Sequence, residues 1–289
     1  MVTLTNKFNL PKAFERYSAK DPYTKGDADF SVTELIDSPQ IARLKKLHDH
    51  EIEEDVSDRI MSMLGTAVHS ILEHEADPGD IVEQRFYADV LGKKVSGGVD
   101  CLHPIDNSNK WGIRDYKVTR GMSVVLNPNG SSSWIKQINC YAYLAEVNGY
   151  DVEEGEVIAI LRDWTAALVR RNSQFPRHPI IRVPITIWPF EERKAFIERC
   201  VTEHSHESPR QCNPEERWVG RSTYRVVEYR QDGGLKSRAK KRFNTETEAM
   251  AFIMNENLNA EIVQSDGEPV RCAGNYCQVA GFCDQWLNE

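Results

Sequence analysis

Three side chains have types and spacing suited to phosphate chemistry: Asp100, Asp115 and Lys117. They belong to the stretch 97–117, GGVDCLHPIDNSNKWGIRDYK, in which two β-type runs flank a polar turn. Because residues two apart in a strand project from the same face, Asp115 and Lys117 should point together, toward the face that Asp100 occupies. Two carboxylates and an ammonium at a sheet edge suit a divalent cation that holds a phosphate ester.

The elements around this stretch must bring it to one edge of a sheet. Apolar periodicity predicts a helix over 58–76, and alternating runs predict strands over 81–91, 94–103 and 111–118. Short polar turns join these strands, so we expect an antiparallel meander. A helix that starts in the serine run 131–133 and stops at Gly149 follows, and then a strand over 156–164. The predicted order of the core is therefore α, β, β, β, α, β.

The flanking segments have weaker signals. Residues 1–30 are polar and read as an irregular surface arm. Ser31 and Glu34 have the spacing of a capping box at the start of a helix, and a second helical piece should follow Pro39. Beyond the core we expect a strand over 179–188, a helix opened by Pro189, and a small ββαβ unit over 222–265 whose helix is capped by Thr245.

Composition places the chain among ordinary globular proteins, with 40% hydrophobic and 28% charged residues in 289. No apolar run has transmembrane length and the first residues contain no apolar signal core, so we expect a cytoplasmic protein without a membrane partner. The net charge is −8, yet nine Lys or Arg and only two acidic residues lie between Arg217 and Arg242. This basic segment is a candidate nucleic-acid surface.

Seven cysteines in a chain without an export signal do not indicate a disulfide framework. Cys101, Cys140 and Cys200 lie in apolar segments and should be buried small hydrophobic residues. The last cysteines are different, because three thiols within a dozen residues are typical of metal ligation. They are Cys272, Cys277 and Cys283.

The ordered motifs of the core resemble the PD-(D/E)XK nuclease superfamily, and in particular its RecB-type exonucleases. That branch includes AddB-like, CRISPR-associated and many phage-encoded enzymes. The residues that carry the resemblance are His69 on the first helix, Gly97-Gly98-Val99-Asp100, Asp115-Tyr116-Lys117, and Gln137 with Tyr141 in a Q-x-x-x-Y pattern. The resemblance covers about residues 31–165 and implies an α/β fold with a restriction-endonuclease-like αβββαβ core.

With that resemblance the chain divides into four segments. Residues 1–57 form a helical N-terminal arm, 58–210 the nuclease core, 211–266 a small basic ββαβ insert, and 267–289 a cysteine-rich C-terminal staple.

The resemblance also assigns roles to the residues of the core. Asp100, Asp115, His69 and the backbone carbonyl of Tyr116 would bind Mg²⁺ or Mn²⁺, with the imidazole favouring Mn²⁺. Lys117 would assist the attacking water, and Gln137 and Tyr141 would position Lys117 or a phosphate. Without the resemblance, His69 would be interpreted as a packed core residue and Gln137 with Tyr141 as ordinary helix packing.

The family often carries a [4Fe–4S] cluster on three C-terminal cysteines and one near the N-terminus. This chain differs, because four residues separate Cys272 from Cys277 and Ser38 stands where the family would have the first cysteine. Cys212 is the candidate for the fourth ligand. A [4Fe–4S] cluster is the first choice, zinc the second, and a site without metal remains the third reading.

Residues expected to contact DNA are Arg162, Arg238, Lys240, Lys241 and Arg242. The alternative for the four residues in the basic strand is a charged guard on a sheet edge.

The sequence therefore predicts a metal-dependent DNA exonuclease of phage or prokaryotic DNA degradation or recombination, acting in the host cytoplasm if phage-encoded. Its partners would be single- or double-stranded DNA ends, a recombination protein, and further copies in an oligomer. The alternatives are a catalytically inactive nucleic-acid-binding scaffold and, more weakly supported, a redox protein that uses the cysteines.

Overall fold

The chain folds into two units in the computed structural model, which describes residues 2–20 and 25–289. The first unit is Met1–Arg210 and the second is Gln211–Glu289. The first unit is a mixed α/β structure, which confirms the predicted fold class. The boundary between the units lies between Arg210 and Gln211, one residue before Cys212.

A six-stranded mixed sheet forms the centre of the first unit. Its strands are β2 (Phe30–Ser31), β4 (Ile81–Val90), β5 (Lys93–Pro104), β6 (Trp111–Thr119), β7 (Val152–Leu161) and β8 (Ile180–Ile185). The predicted meander is confirmed, since β5 pairs antiparallel with both β4 and β6. The β4–β5 turn has positive φ at both Leu91 (54°) and Gly92 (74°), a conformation whose twist suits the flanking strands.

The remaining strands show where prediction of boundaries fails. β7 starts at Val152 rather than near 156, because its polar first residues pair in parallel with β6. Two short strands lie outside the main sheet, β1 (Thr3–Thr5) and β3 (Glu53–Asp55), and they pair in parallel. The helices of the unit are α1 (Lys12–Ser18), α2 (Val32–Leu35), α3 (Pro39–Leu47), α4 (Ile60–His74), α5 (Gly121–Leu126), α6 (Ser132–Val147), α7 (Ala166–Arg171) and α8 (Phe190–Ser205).

The expectation of an irregular arm over residues 1–30 is wrong for the part that the structure describes. Thr5 Oγ1 and the Lys7 backbone N–H both donate to the Asp55 carboxylate, which ties the segment to the start of the core. At its other end β2 joins the main sheet beside β5. Residues 21–24 of the arm lie outside the described ranges.

The helix α6 is the buried centre of the first unit. All nine residues from Gln137 to Ala145 are buried, and the helix packs against β4, β5 and β7 and against α8. By contrast, no residue of α4 is buried. The apolar stripe predicted on α4 is therefore only partly covered, with Leu64 39% and Ile71 62% exposed.

Gly97 allows α6 to approach the sheet. A Cβ at this position would lie 2.8 Å from the Tyr141 ring and from Leu144 Cδ1, closer than a real contact permits. The Tyr141 ring of the Q-x-x-x-Y motif therefore leaves room only for glycine at the first position of the Gly-x-x-Asp motif.

The second unit has the predicted ββαβ order, with β9 (Thr223–Glu228), β10 (Lys241–Phe243), α9 (Glu246–Asn255) and β11 (Ala260–Ser265). Its sheet order is β10-β9-β11, so the basic strand β10 lies at an edge. This strand has only three residues. Two short helices, α10 (Val270–Ala273) and α11 (Asp284–Leu287), complete the unit.

Among the described residues, no helix combines the length and the apolar character that crossing a membrane requires.

We expect Gly97→Ala to destabilise the protein by about 1–3 kcal/mol, because the added methyl group must displace Tyr141 and Leu144 in the core. Urea-induced unfolding measures the change. Gly65→Ala is the matched control, since its Cβ would meet nothing within 4 Å on α4 and alanine favours a helix by about 0.5–1 kcal/mol. Equal stability of Gly97→Ala and wild type would contradict this account of the packing.

Candidate active site

Asp100, Asp115 and Lys117 lie together at the point where the pairing of β5 with β6 ends. Within the described strands, pairing runs from Pro104 opposite Trp111 to Cys101 opposite Arg114 and then ends. Asp100 and Asp115 are the next residues of the two strands. From there β6 continues alongside β7, and β5 continues alongside β4. One carboxylate therefore lies on each strand at the point where their pairing ends.

Asp115 is the most deeply buried member of the site, with 1% of its surface exposed. Neither of its buried carboxylate oxygens has a hydrogen-bond partner of normal geometry in the described part of the chain. Lys117 Nζ nevertheless forms an ion pair with Oδ2 at 2.6 Å. The Lys117 ammonium alone, with poor hydrogen-bond geometry, leaves lone pairs of the Asp115 carboxylate without a partner. In a buried carboxylate this is energetically unfavourable. The site therefore suits an additional cation.

Asp100 is held by the backbone of β6. The Tyr116 N–H donates to Asp100 Oδ2 at 2.8 Å. Burial, and next the negative charge of Asp115, raises the pKa of Asp100 to about 7. Burial by itself would lower the pKa of Lys117, but Asp115 and Asp100 more than offset it, so that pKa lies above its usual value. Lys117 is accordingly an ammonium group in the metal-free site.

His69 reaches the site from α4. Its Nε2 lies 3.0 Å from the carbonyl oxygen of Tyr116, and its Nδ1 lies 3.6 Å from Asp100 Oδ1. The imidazole is therefore beside both the carbonyl and a carboxylate that the resemblance names as ligands.

Glu83 is a member of the site that the sequence analysis missed. Its Oε1 lies 3.4 Å from His69 Nδ1. Among the described residues, His69, Glu83 and Asp100 alone bring three potential ligand atoms within 4.8 Å of one another. The register of the β4–β5 hairpin would have pointed to Glu83. Val82 pairs with Cys101 and Gln84 with Val99, which puts Glu83 opposite Asp100. Its φ of +49° costs on the order of 1–3 kcal/mol in a non-glycine residue and could not have been foreseen.

Gln137 and Tyr141 line the same cleft from α6. Gln137 Nε2 donates to Tyr141 Oη at 2.8 Å, so the two side chains form one hydrogen-bonded unit. The cleft has a volume of about 440 Å³. Its basic lining side chains are Lys20, Arg59, Arg85 and Lys117.

Of the residues expected to contact DNA, Arg162 belongs to the first unit and the other four to the second. Arg162 lies against Met61 Sδ at the start of α4 and is not among the described residues that line the cleft. Lys240 shares Glu228 with Lys236, as a charged edge guard would. Lys241 covers the Phe243 and Phe252 rings, while Arg238 and Arg242 are exposed. A role for these residues in DNA binding stays a prediction.

The packing cysteines are as predicted, since Cys101, Cys140 and Cys200 are all buried. The other four belong to the second unit. Burial raises the pKa of the Cys277 thiol, and the neighbouring Cys272 and Cys283 act in the same direction, so these three lie near one another. The Cys212 backbone exchanges two hydrogen bonds of 2.9 Å with the Gln285 side chain, two residues beyond Cys283.

Comparison with known proteins gives little further information. No family model matches the sequence, and no curated protein matches it. Among solved structures, one titled "Crystal structure of SSO0001" matches with a TM-score of 0.43 and 17% identity, over 72% of this chain and 86% of that one. This similarity is too low to support a conclusion about fold or function.

The raised pKa of Asp100 predicts how stability depends on pH in the absence of metal. The folded protein binds this proton more tightly than the unfolded chain, so stability falls as pH rises from about 4 to about 7 and the loss is complete above that. Asp100→Asn removes the effect. Relative to wild type, we expect it to gain on the order of 2–4 kcal/mol between pH 4 and pH 8.

Urea-induced unfolding in EDTA at the two pH values measures this difference. Asp106→Asn, a change at an exposed position of the β5–β6 turn, is the control. A stability difference between Asp100→Asn and wild type that is the same at both pH values would show that the Asp100 carboxyl group has an ordinary pKa.

Proposed function

We propose that this protein is a divalent-metal-dependent DNA exonuclease of the RecB type within the PD-(D/E)XK superfamily. The observation that carries the proposal is the pair of carboxylates, Asp100 and Asp115, with Lys117 at the point where β5 and β6 part. The order α4, β4, β5, β6, α6, β7, with the short helix α5 inserted between β6 and α6, supports the assignment to the αβββαβ core. The exonuclease activity and the choice of DNA rest on the resemblance of the motifs.

The donor set fits Mg²⁺ or Mn²⁺. Asp115 offers buried oxygens with unused acceptor capacity, and its charge acts on Asp100. The Tyr116 N–H binds Asp100, and the Tyr116 carbonyl contacts His69. Among the described residues, the cluster with three ligand atoms within 4.8 Å is His69, Glu83 and Asp100, and Asp115 lies outside it. Hard carboxylate and carbonyl oxygens suit both ions, and one imidazole nitrogen shifts the preference toward Mn²⁺. When bound, the ion would neutralise charge on the phosphoryl oxygens and lower the pKa of a bound water.

The chain's own residues supply the remaining requirements of phosphodiester hydrolysis. Lys117, as an ammonium, stabilises the negative charge that develops as the water oxygen bonds to phosphorus and the bond to the leaving sugar oxygen breaks. The lining residues Arg59, Arg85 and Lys20 attract the phosphates of the strand. Gln137 and Tyr141, hydrogen-bonded together, present an amide and a phenol to the strand from one wall of the cleft.

The activity test uses end-labelled single- and double-stranded DNA with Mn²⁺ or Mg²⁺, and product lengths are followed over time. We expect single nucleotides or short products from the outset, and no hydrolysis in EDTA. Asp115→Ala and Lys117→Ala should each lower the rate by at least about 100-fold, since each removes charge stabilisation at the reacting phosphate.

Asp106→Ala, on the exposed turn between the same two strands, is the control and should keep wild-type activity. Full activity in Asp115→Ala or Lys117→Ala would refute the assignment. DNA binding by the wild type without hydrolysis would favour the inactive scaffold, and products of intermediate length would indicate an endonuclease.

We further propose that Cys212, Cys272, Cys277 and Cys283 hold a metal group as a structural staple of the second unit. A small unit of this kind has few buried apolar side chains, which here are Val226, Val227, Ala249, Val279 and Cys283. Units with such small cores commonly depend on a metal or disulfides for stability. No three of the four sulfurs in this described region lie within 4.8 Å of one another, whereas one tetrahedral zinc ion needs sulfurs about 3.8 Å apart. The resemblance to the RecB-type exonucleases makes a [4Fe–4S] cluster the first choice and zinc the second.

Anaerobically purified protein should absorb in the blue-violet and contain iron with acid-labile sulfide. Cys283→Ser should lose both and unfold at lower urea concentration, because the staple contributes to stability. Cys200→Ser, at a buried cysteine of the first unit, is the control for metal content. Colourless protein with stoichiometric zinc would replace the cluster by zinc, and protein without either metal would contradict the staple.

A further inference from the structure

Glu83 has a conformation and a position that the proposed catalytic roles do not explain. It lies opposite Asp100 on the neighbouring strand β4, with φ of +49° at the third residue of that ten-residue strand. A left-handed backbone in a residue other than glycine is unfavourable and tends to occur where a site needs a side chain in a particular place. Glu83 is also substantially exposed, so burial of its side chain does not account for the strain.

The one ion-pair partner of Glu83 within the described residues is His69. The two ring nitrogens of His69 have different neighbours. Nε2 faces the Tyr116 carbonyl oxygen at 3.0 Å, whereas Nδ1 faces two carboxylate oxygens, Glu83 Oε1 at 3.4 Å and Asp100 Oδ1 at 3.6 Å. The ring also packs edge-on against the Tyr116 ring, with an interplanar angle of 81°, which limits its rotation.

Only one neutral tautomer of His69 can serve as a ligand in this orientation. A metal ion requires a nitrogen lone pair, so the nitrogen that faces the centre must carry no proton. In the structure His69 Nε2 and the Tyr116 carbonyl oxygen form a hydrogen bond of 3.0 Å, and because a carbonyl oxygen only accepts, Nε2 carries a proton there. An ion held beside this carbonyl would take the place of that proton. The proton must then be on Nδ1, and a carboxylate facing Nδ1 favours that tautomer.

We propose that Glu83 is a positioning residue that accepts the Nδ1–H of His69 and so directs the Nε2 lone pair to the metal centre beside the Tyr116 carbonyl. This inference rests on the proposed function of the site. The left-handed backbone at Glu83 directs its side chain from β4 toward the ring of His69 on α4. The negative charge of Glu83 also raises the basicity of the imidazole and strengthens it as a ligand.

The experiment is a double-mutant cycle on the affinity of the full chain for Mn²⁺, with free Mn²⁺ measured by electron paramagnetic resonance. The proteins are wild type, Glu83→Gln, His69→Ala and the double variant. Glu83→Gln should weaken Mn²⁺ binding by about 10–100-fold. In the His69→Ala background the same substitution should have no further effect, because a positioning residue acts only through the residue that it positions.

Two further variants separate this role from a structural one. Glu83→Gly removes the carboxylate and relieves the left-handed strain, so Mn²⁺ affinity should fall while the urea midpoint stays at or above that of wild type. Glu192→Gln makes the same charge change at an exposed position of α8 and should leave Mn²⁺ affinity unchanged.

The inference is overturned if Glu83→Gln binds Mn²⁺ as tightly as wild type. It is also overturned if the losses multiply in the double variant, which would make Glu83 a direct ligand, or if Glu83→Gly loses affinity only together with stability. Failure of the proposed function has a different signature, because wild type would then bind Mn²⁺ no better than Asp115→Ala or would bind it without hydrolysing DNA.

Discussion

Repulsion between Asp100 and Asp115 is the constraint on which this structure depends. Two carboxylates close together in a largely buried place are unfavourable unless a proton or a cation compensates them. In the metal-free protein Lys117 and a raised pKa at Asp100 provide that compensation. The pairing of β5 with β6 ends directly before the two carboxylates. Without such compensation, the pair would lower the stability of the fold.

The rest of the first unit holds this unfavourable arrangement in place. The helix α6 is buried along its centre and lies against Gly97, three residues before Asp100. The Tyr141 ring at that contact is also the partner of Gln137. On the other strand, Tyr116 holds Asp100 through its N–H and His69 through its carbonyl oxygen. The motif residues are thus linked to one another by contacts, so a change in one affects the geometry of the others.

The second unit has a different physical basis. Its three-stranded sheet buries few apolar residues, and the basic strand β10 lies at the edge. Just before β10, Lys236 and Lys240 both form ion pairs with Glu228. The four cysteines come from both ends of the unit, with Cys212 held to Gln285 near Cys283. The ends of the unit therefore meet at the thiols, where a metal group would restrain the unfolded chain most effectively.

Local signals in the sequence determined the elements and the motif residues. Strand alternation, the serine cap at Ser131 and the turn at Leu91-Gly92 act over a few residues, so the β4–β5–β6 meander and α6 could be predicted from them. Tertiary structure alone decided the features that depend on distant partners. The pairing of β1 with β3 joins segments almost fifty residues apart, and the partial exposure of α4 depends on what packs against it. Glu83 joins the site through a strained backbone angle, which only the packing around a strand can impose and no residue pattern encodes.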